Sequence, residues 1–229
     1  MTSLVAAAAV FLMIHLLVSG TRVRDALTGA IGQGPYMGLF SLASLACLVW
    51  LGYAYGHAGA AATYWSATDV SKIAQLVIQF VAVQFVVIGL ATPNPTSVRQ
   101  EATLDKADAV RGMLRVTRHP FLWGAALWAA GHLIVRGDAP SLVLFGTILV
   151  LGVAGTFSID AKRKRVLAAK WDAFAAQTSN IPFAAIVQGR QKLNLGEIGW
   201  WRIAIAVAVW VAIVAGHKLA FGVSPLPGR

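Results

Sequence analysis

Five of six long apolar stretches in this chain contain no Asp, Glu, Lys or Arg, and that fact limits its fold more than any other. They cover residues 3–20, 36–55, 73–91, 120–135 and 141–159; the sixth, residues 200–216, carries only Arg202 near its start. A helix needs roughly 20 mainly apolar residues to cross a hydrocarbon layer about 30 Å thick. The sequence therefore predicts an all-α, polytopic transmembrane helical bundle of about six spans, read as one membrane domain over residues 1–229. Composition agrees: 58% of residues are hydrophobic and 12% charged, against about 25% charged in ordinary soluble domains.

The first stretch is early enough to suggest a secretory signal. Nothing basic precedes it, however, and Arg22 and Arg24 follow it; a cleaved signal has the reverse order. The expectation is a retained helix. In the sixth stretch, Arg202 can snorkel to the headgroups beside the interfacial Trp200 and Trp201.

Lys and Arg gather in alternate connectors. Arg22 and Arg24 follow the first stretch. Arg99, Lys106, Arg111, Arg115 and Arg118 follow the third, and Lys162-Arg163-Lys164-Arg165 follows the fifth. In bacterial inner-membrane proteins the basic connectors stay in the cytoplasm, which predicts that location, a multi-pass topology and both termini in the periplasm. The net charge of +10 then points to anionic lipid, worth about 1 kcal/mol per surface cation. Nucleic acid is not expected, since no aromatic-basic recognition pattern accompanies the charge.

Within the connectors, Thr92-Pro93-Asn94-Pro95-Thr96 ends the third helix. Arg111, Arg115 and Arg118 are spaced to share one helical face. The segment from Asp160 to Gly199, with Trp171, Phe174, Ile181 and Phe183, reads as partly interfacial. The lone Cys47 excludes an intrachain disulfide and reads as a small buried hydrophobe.

No carboxylate lies within a predicted span, which argues against a cation path. No phosphate-binding glycine loop, Cys-x-x-Cys pair or zinc helix appears. The remaining candidates are histidines. His15 and His132 lie inside spans, where an imidazole is costly unless paired or coordinated. His119 opens the fourth span, and His57 and His217 sit at span ends. The small residues Ala125 and Ala129 beside His132 leave room for a flat macrocycle, and haem in helical bundles is often gripped by histidines from facing helices. An interhelical hydrogen bond is the structural alternative. The run Arg115-Val116-Thr117-Arg118-His119-Pro120 places cations at the surface, available to haem propionates, a phosphate or a lipid headgroup.

The runs Thr117-Arg118-His119-Pro120-Phe121-Leu122-Trp123-Gly124 and Leu127-Trp128-Ala129-Ala130-Gly131-His132-Leu133, with Arg136-Gly137-Asp138, resemble the NnrU family. So do His15-Leu16, Gly32 to Phe40 and Leu144-Phe145-Gly146. That resemblance implies a link to nitric oxide metabolism and denitrification. It also implies similarity to the plant zeta-carotene isomerase, a membrane enzyme using haem b. By local motif, His15 and His132 match its haem ligands, and Ala129 stands where it has an alternative cysteine ligand, so exchange between thiolate and imidazole is impossible here. Arg118-His119-Pro120 with Gly124 also resembles membrane methyltransferases that use S-adenosylmethionine, but the region from Asp160 to Leu167 is basic where those enzymes are acidic. A non-enzymatic accessory protein with structural histidines is the third reading. Helix geometry places His15 and His132 about 10 Å apart in depth.

Overall fold

The computed structural model describes residues 1–106 and 108–228. Helix α1 (Thr2–Met13) continues through a wide turn at Ile14–Val18, where the Ser19 amide reaches back five residues to the Ile14 carbonyl. The chain then bends by 79° into α2 (Arg22–Ile31), whose start is capped by the Thr21 hydroxyl. Gly32, at φ +86°, turns it into α3 (Gln33–Gly56). Helix α4 (Asp69–Leu90) starts at a reciprocal cap between Thr68 and Ser71. After a connector holding the single turn α5 (Met113–Val116), α6 (Pro120–Val135) begins with proline at its first turn, where no amide donor is missed. Asp138 caps α7 (Ala139–Gln177), which breaks at Ala168, φ +46°. Two short turns, α8 (Ala184–Val187) and α9 (Leu195–Ile198), lead to α10 (Trp200–Phe221).

All six apolar stretches are helical, though unequally suited to spanning. Helices α3, α4, α7 and α10 are long and apolar enough alone, and the bent pair of α1 and α2 supplies a fifth candidate. Helix α6 has 16 residues, about 24 Å of helix, and lies between α4 and α7. Its packing depends on absent side chains: a Cβ on Gly124 would stand 2.9 Å from the Ala82 carbonyl oxygen, and one on Gly152 would stand 3.0 Å from the Leu122 carbonyl oxygen. Such close backbone approach is how helices associate in lipid, where no hydrophobic effect drives them together.

The three basic connectors meet at one end of the bundle. Gly20 abuts Ser158, Arg165 reaches Asp25 at 3.2 Å, and Arg163 pairs with Glu101. At the other end, strand β1 (Thr63–Ser66) pairs with β2 (Arg136–Asp138), Trp50 donates to Ser3, and Gly228 donates to Asp69. Both termini therefore lie opposite the basic end.

Two local expectations are corrected. Arg111, Arg115 and Arg118 do not share a helical face, because Gly112 at φ +56° and the extended Thr117 limit α5 to four residues. Trp171 and Phe174 are buried against Leu114 rather than lodged in the interface. Ile181 and Phe183 are exposed, as an interfacial role requires.

The glycine contacts give a direct test. Gly124→Ala drives a methyl group into the α4 backbone and should lower stability by about 1–3 kcal/mol, despite alanine's better helix propensity. Gly146 has open space around its Cβ position, so Gly146→Ala should leave stability unchanged or raise it by up to about 1 kcal/mol. Thermal melting of both variants in the same detergent distinguishes the two effects.

Candidate functional site

At the basic end the Arg-His-Pro motif is closed around one carboxylate. Arg118 binds Asp160 through Nη2 at 2.5 Å and Nε at 2.9 Å, His119 donates Nε2–H to Asp160 Oδ1 at 2.6 Å, and Asn180 Nδ2 adds a bond at 2.9 Å. The Arg118 carbonyl accepts from Asn94 and Thr96, and the Asn180 carbonyl accepts from Thr117 and Trp123. His119 is 2% exposed. Arg115 is similarly committed, gripping Glu197 with Nε at 2.7 Å and Nη2 at 2.9 Å, and Gln191 with Nη1. The geometry makes Arg115, Arg118 and His119 a structural clasp: each is engaged by a carboxylate, Arg118 through Nε and Nη2 and Arg115 through Nε and Nη2.

Burial holds the His119 imidazole below its ordinary titration range, outweighing the opposing pull of Asp160. Burial also works against the Asp160 charge, but hydrogen bonds from His119, Arg118 and Asn180 outweigh it and hold the carboxyl well below the usual range. Both groups thus bind protons less readily folded than unfolded. The His119 contribution is complete above about pH 6.5 and is lost as pH falls from there; the Asp160 contribution is lost further down, below about pH 4.

Inside the spans, His15 sits on the wide turn at the end of α1, a backbone irregularity frequently found at functional sites. Its Nδ1 lies 2.8 Å from the Phe11 carbonyl and its Nε2 lies 3.2 Å from Ser44 Oγ. A carbonyl only accepts, so Nδ1 carries the proton and Nε2 offers its lone pair to the hydroxyl. Phe11 and Phe40 flank the ring.

His132 repeats the arrangement. Its Nδ1 donates to the Trp128 carbonyl at 2.8 Å, and the ring stacks on Phe145 with centroids 4.6 Å apart. Gln79, lying where Gly131 leaves room, donates to the same carbonyl at 2.9 Å. The 3.3 Å approach of its amide nitrogen to Nδ1 then sets two donors side by side, and we read it as proximity only. Nε2 of His132 makes no hydrogen bond among the described residues. An imidazole whose Nδ1–H is held by a carbonyl has the tautomer and orientation of a metal ligand.

The two imidazoles are not in contact. Gly20 abuts Ser158 and Gly152 abuts Ala126, so His15 is level with about residue 153 of α7 and His132 with about residue 146, an offset of about 10 Å. Each ring folds back toward the start of its own helix, onto Phe11 or Trp128. Because α1 and α6 run in opposite directions, these tilts reduce the offset in depth. Among the described residues no three His, Cys, Asp or Glu side chains gather to hold a bare ion. Two imidazoles without a third protein ligand would suit a cofactor that carries the rest of a metal's ligands with it. His57 stacks on Tyr53, and His217 donates Nδ1–H to the Val223 carbonyl, both at the end opposite the clasp.

Asp160, Asn180, Glu197, Ser44 and Gln79 complete these arrangements, and sequence reasoning singled out none of them as a partner. Asp160 carried one signal: it is a lone acid between an apolar span and four consecutive cations.

Fold and site together define a polytopic helical membrane protein with two histidines inside its spans. A profile described as NnrU protein matches residues 3–225, and the chain belongs to the NnrU family. It is 27% identical over 192 residues to a 15-cis-zeta-carotene isomerase, chloroplastic, of Zea mays, and 25% identical over 189 residues to the protein of that name in Arabidopsis thaliana. Each match covers 80% of this chain and 50% of the relative. The chain spans about half the length of the curated relatives it matches. No solved structure matches it significantly.

The clasp is open to test in detergent. Asp160→Asn leaves Arg118 without its buried counter-charge and should cost about 3 kcal/mol at pH 7.5. Melting temperature should fall between pH 7.5 and pH 5.5, and His119→Gln should flatten that fall.

Proposed function

We propose that this protein binds haem b between His15 and His132 and uses it in an isomerase-like reaction on an apolar, conjugated polyene drawn from the bilayer. The observation that carries this reading is the shared geometry of the two intramembrane imidazoles. Each has Nδ1 tied to the carbonyl four residues earlier, which leaves Nε2 as the nitrogen with a lone pair, and each ring leans along its helix so that their offset in depth is reduced. Ligation requires His15 to exchange Ser44 for iron and the two rings to close their remaining separation. The haem would supply a redox-active iron. The chain supplies its orientation, through Phe11, Phe40, Trp128 and Phe145, and its exclusion from water.

The polyene substrate is taken from the two plant relatives, both 15-cis-zeta-carotene isomerases. Ala129, fully buried one turn before His132, offers no thiolate as an alternative ligand. That favours a second reading in which the haem remains a redox or nitric-oxide-responsive centre linked to denitrification. For location we propose a bacterial inner membrane with the basic end cytoplasmic, touching anionic lipid, and both termini periplasmic.

The deciding measurement is the absorption spectrum of detergent-purified protein expressed with ample haem, oxidised and dithionite-reduced, beside His15→Ala and His132→Ala. The expected outcome is a Soret band in the wild type that is shifted or lost in both variants. A colourless, folded wild type refutes haem binding. Loss confined to one variant refutes the paired ligation. Haem-loaded protein that leaves a polyene unchanged, yet shifts its Soret band with nitric oxide, moves the assignment to the second reading.

A further inference from the structure

The sequence places cations for haem propionates in the Arg115–Arg118 run, but both guanidiniums are held by carboxylates. A different corner of the basic end has cations to spare. On α3, Tyr36, Phe40 and Ser44 are spaced four residues apart and line one face. Ser44 meets His15 Nε2 at 3.2 Å, the His15 and Phe40 rings lie 5.3 Å apart, and Phe40 stacks on Tyr36 at 5.9 Å. The Arg24 guanidinium lies 5.6 Å from the Tyr36 ring centre. An aromatic wall thus runs from the imidazole to the membrane surface, about 12 Å along the helix, and ends at a cation.

Tyr36 is 6% exposed, and its hydroxyl is buried without a hydrogen-bond partner among the described residues. An unsatisfied buried hydroxyl costs about 1–3 kcal/mol and marks a place where an acceptor or donor is missing. On α7, Lys162 lies one turn beyond Ser158, on the face that fronts the bend at Gly20. Its ammonium makes no hydrogen bond or ion pair among the described residues. Burial, with Arg163 and Arg24 nearby, lowers its pKa to about 8 against the weaker opposing pull of Glu101 and Asp25.

The local charges do not balance. Arg163 is spent on Glu101 and the Ser97 carbonyl, and Arg165 takes Asp25 at 3.2 Å. Arg24 reaches Asp25 only at 3.9 Å and otherwise donates to the neutral Gln33 amide. Arg24, beside the aromatic wall and its orphan hydroxyl, and Lys162, close enough to Arg24 to feel its charge, are left over. We propose that Arg24, Lys162 and the Tyr36 hydroxyl form the subsite that receives the two carboxylates of a flat macrocycle seated on His15. This deepens the haem reading and rests on it.

The test uses full-length, haem-free protein in detergent and two fluorescent probes, protoporphyrin IX and its dimethyl ester, which share the macrocycle and lack iron. The diacid should bind the wild type at least about tenfold more tightly than the ester, the scale of one charge-assisted hydrogen bond. Arg24→Gln and Lys162→Gln should each remove most of that preference without weakening the ester. Lys162→Arg should retain it, and Tyr36→Phe should reduce it severalfold. Circular dichroism and gel filtration establish that each variant is folded. Equal binding of acid and ester by the wild type, or a preference that survives both charge-removing variants, overturns the subsite. A wild type that shows a Soret band with haem yet no diacid preference refutes the subsite alone. A wild type that takes up neither haem nor porphyrin refutes both.

Discussion

The Asp160 carboxylate is the point on which the basic end of the molecule depends. It sits one residue beyond an uncharged helical run and collects donors from Arg118, His119 and Asn180. Those residues begin α6 and close the segment after α7, so one side chain fixes where α6 enters the bundle and where the chain returns after α7. In a setting of low dielectric a lone carboxylate or guanidinium would be strongly disfavoured, so each group requires the others. The consequence reaches into the membrane: the short α6 cannot slide without breaking this clasp, and α6 carries His132.

The two histidines are held by different means. His132 takes its position from contacts that absent side chains permit: at Gly124 and Gly152, where α6 meets α4 and α7 backbone to backbone, and at Gly131, which admits the Gln79 side chain. His15 takes its position from a wide helical turn followed by a sharp bend. The first is a rigid seat within the tightest part of the bundle. The second lies at the junction of two helices, and its Ser44 contact, at 3.2 Å, is the weakest hydrogen bond either ring makes. If one ligand must move to complete an iron site, the packing assigns that movement to His15.

Helix positions were legible because lipid leaves the backbone few alternatives: buried amides and carbonyls must be satisfied within the segment, so an uncharged apolar run becomes a helix. The alternation of basic connectors likewise indicated which ends meet. The partners of the charges were not legible. Spacing suggested that Arg111, Arg115 and Arg118 point one way, but Gly112 and the extended Thr117 send them to Asp108, Glu197 and Asp160. These contacts join residues 3, 82 and 42 positions apart, and only the first lies within the range of local pattern. His15 and His132 could be named because an imidazole in hydrocarbon stands out, whereas Ser44 and Gln79 are unremarkable until the helices are placed.

The same reasoning separates the two groups of cations at the basic end. Where an arginine meets a carboxylate through two nitrogens, as Arg115 and Arg118 do, its charge is spent in holding the fold, and a ligand would have to break that bond to use it. Where cations outnumber nearby carboxylates, as at Arg24 and Lys162, keeping them charged costs free energy that an incoming anion would return. A protein with ten surplus positive charges can satisfy most of them with lipid headgroups. Lys162, half-buried behind the bend of the first span, is less well placed for that, since burial and the neighbouring Arg163 and Arg24 work against its charge. The proposed macrocycle would bring its carboxylates to that corner if it seats between α1, α3 and α7.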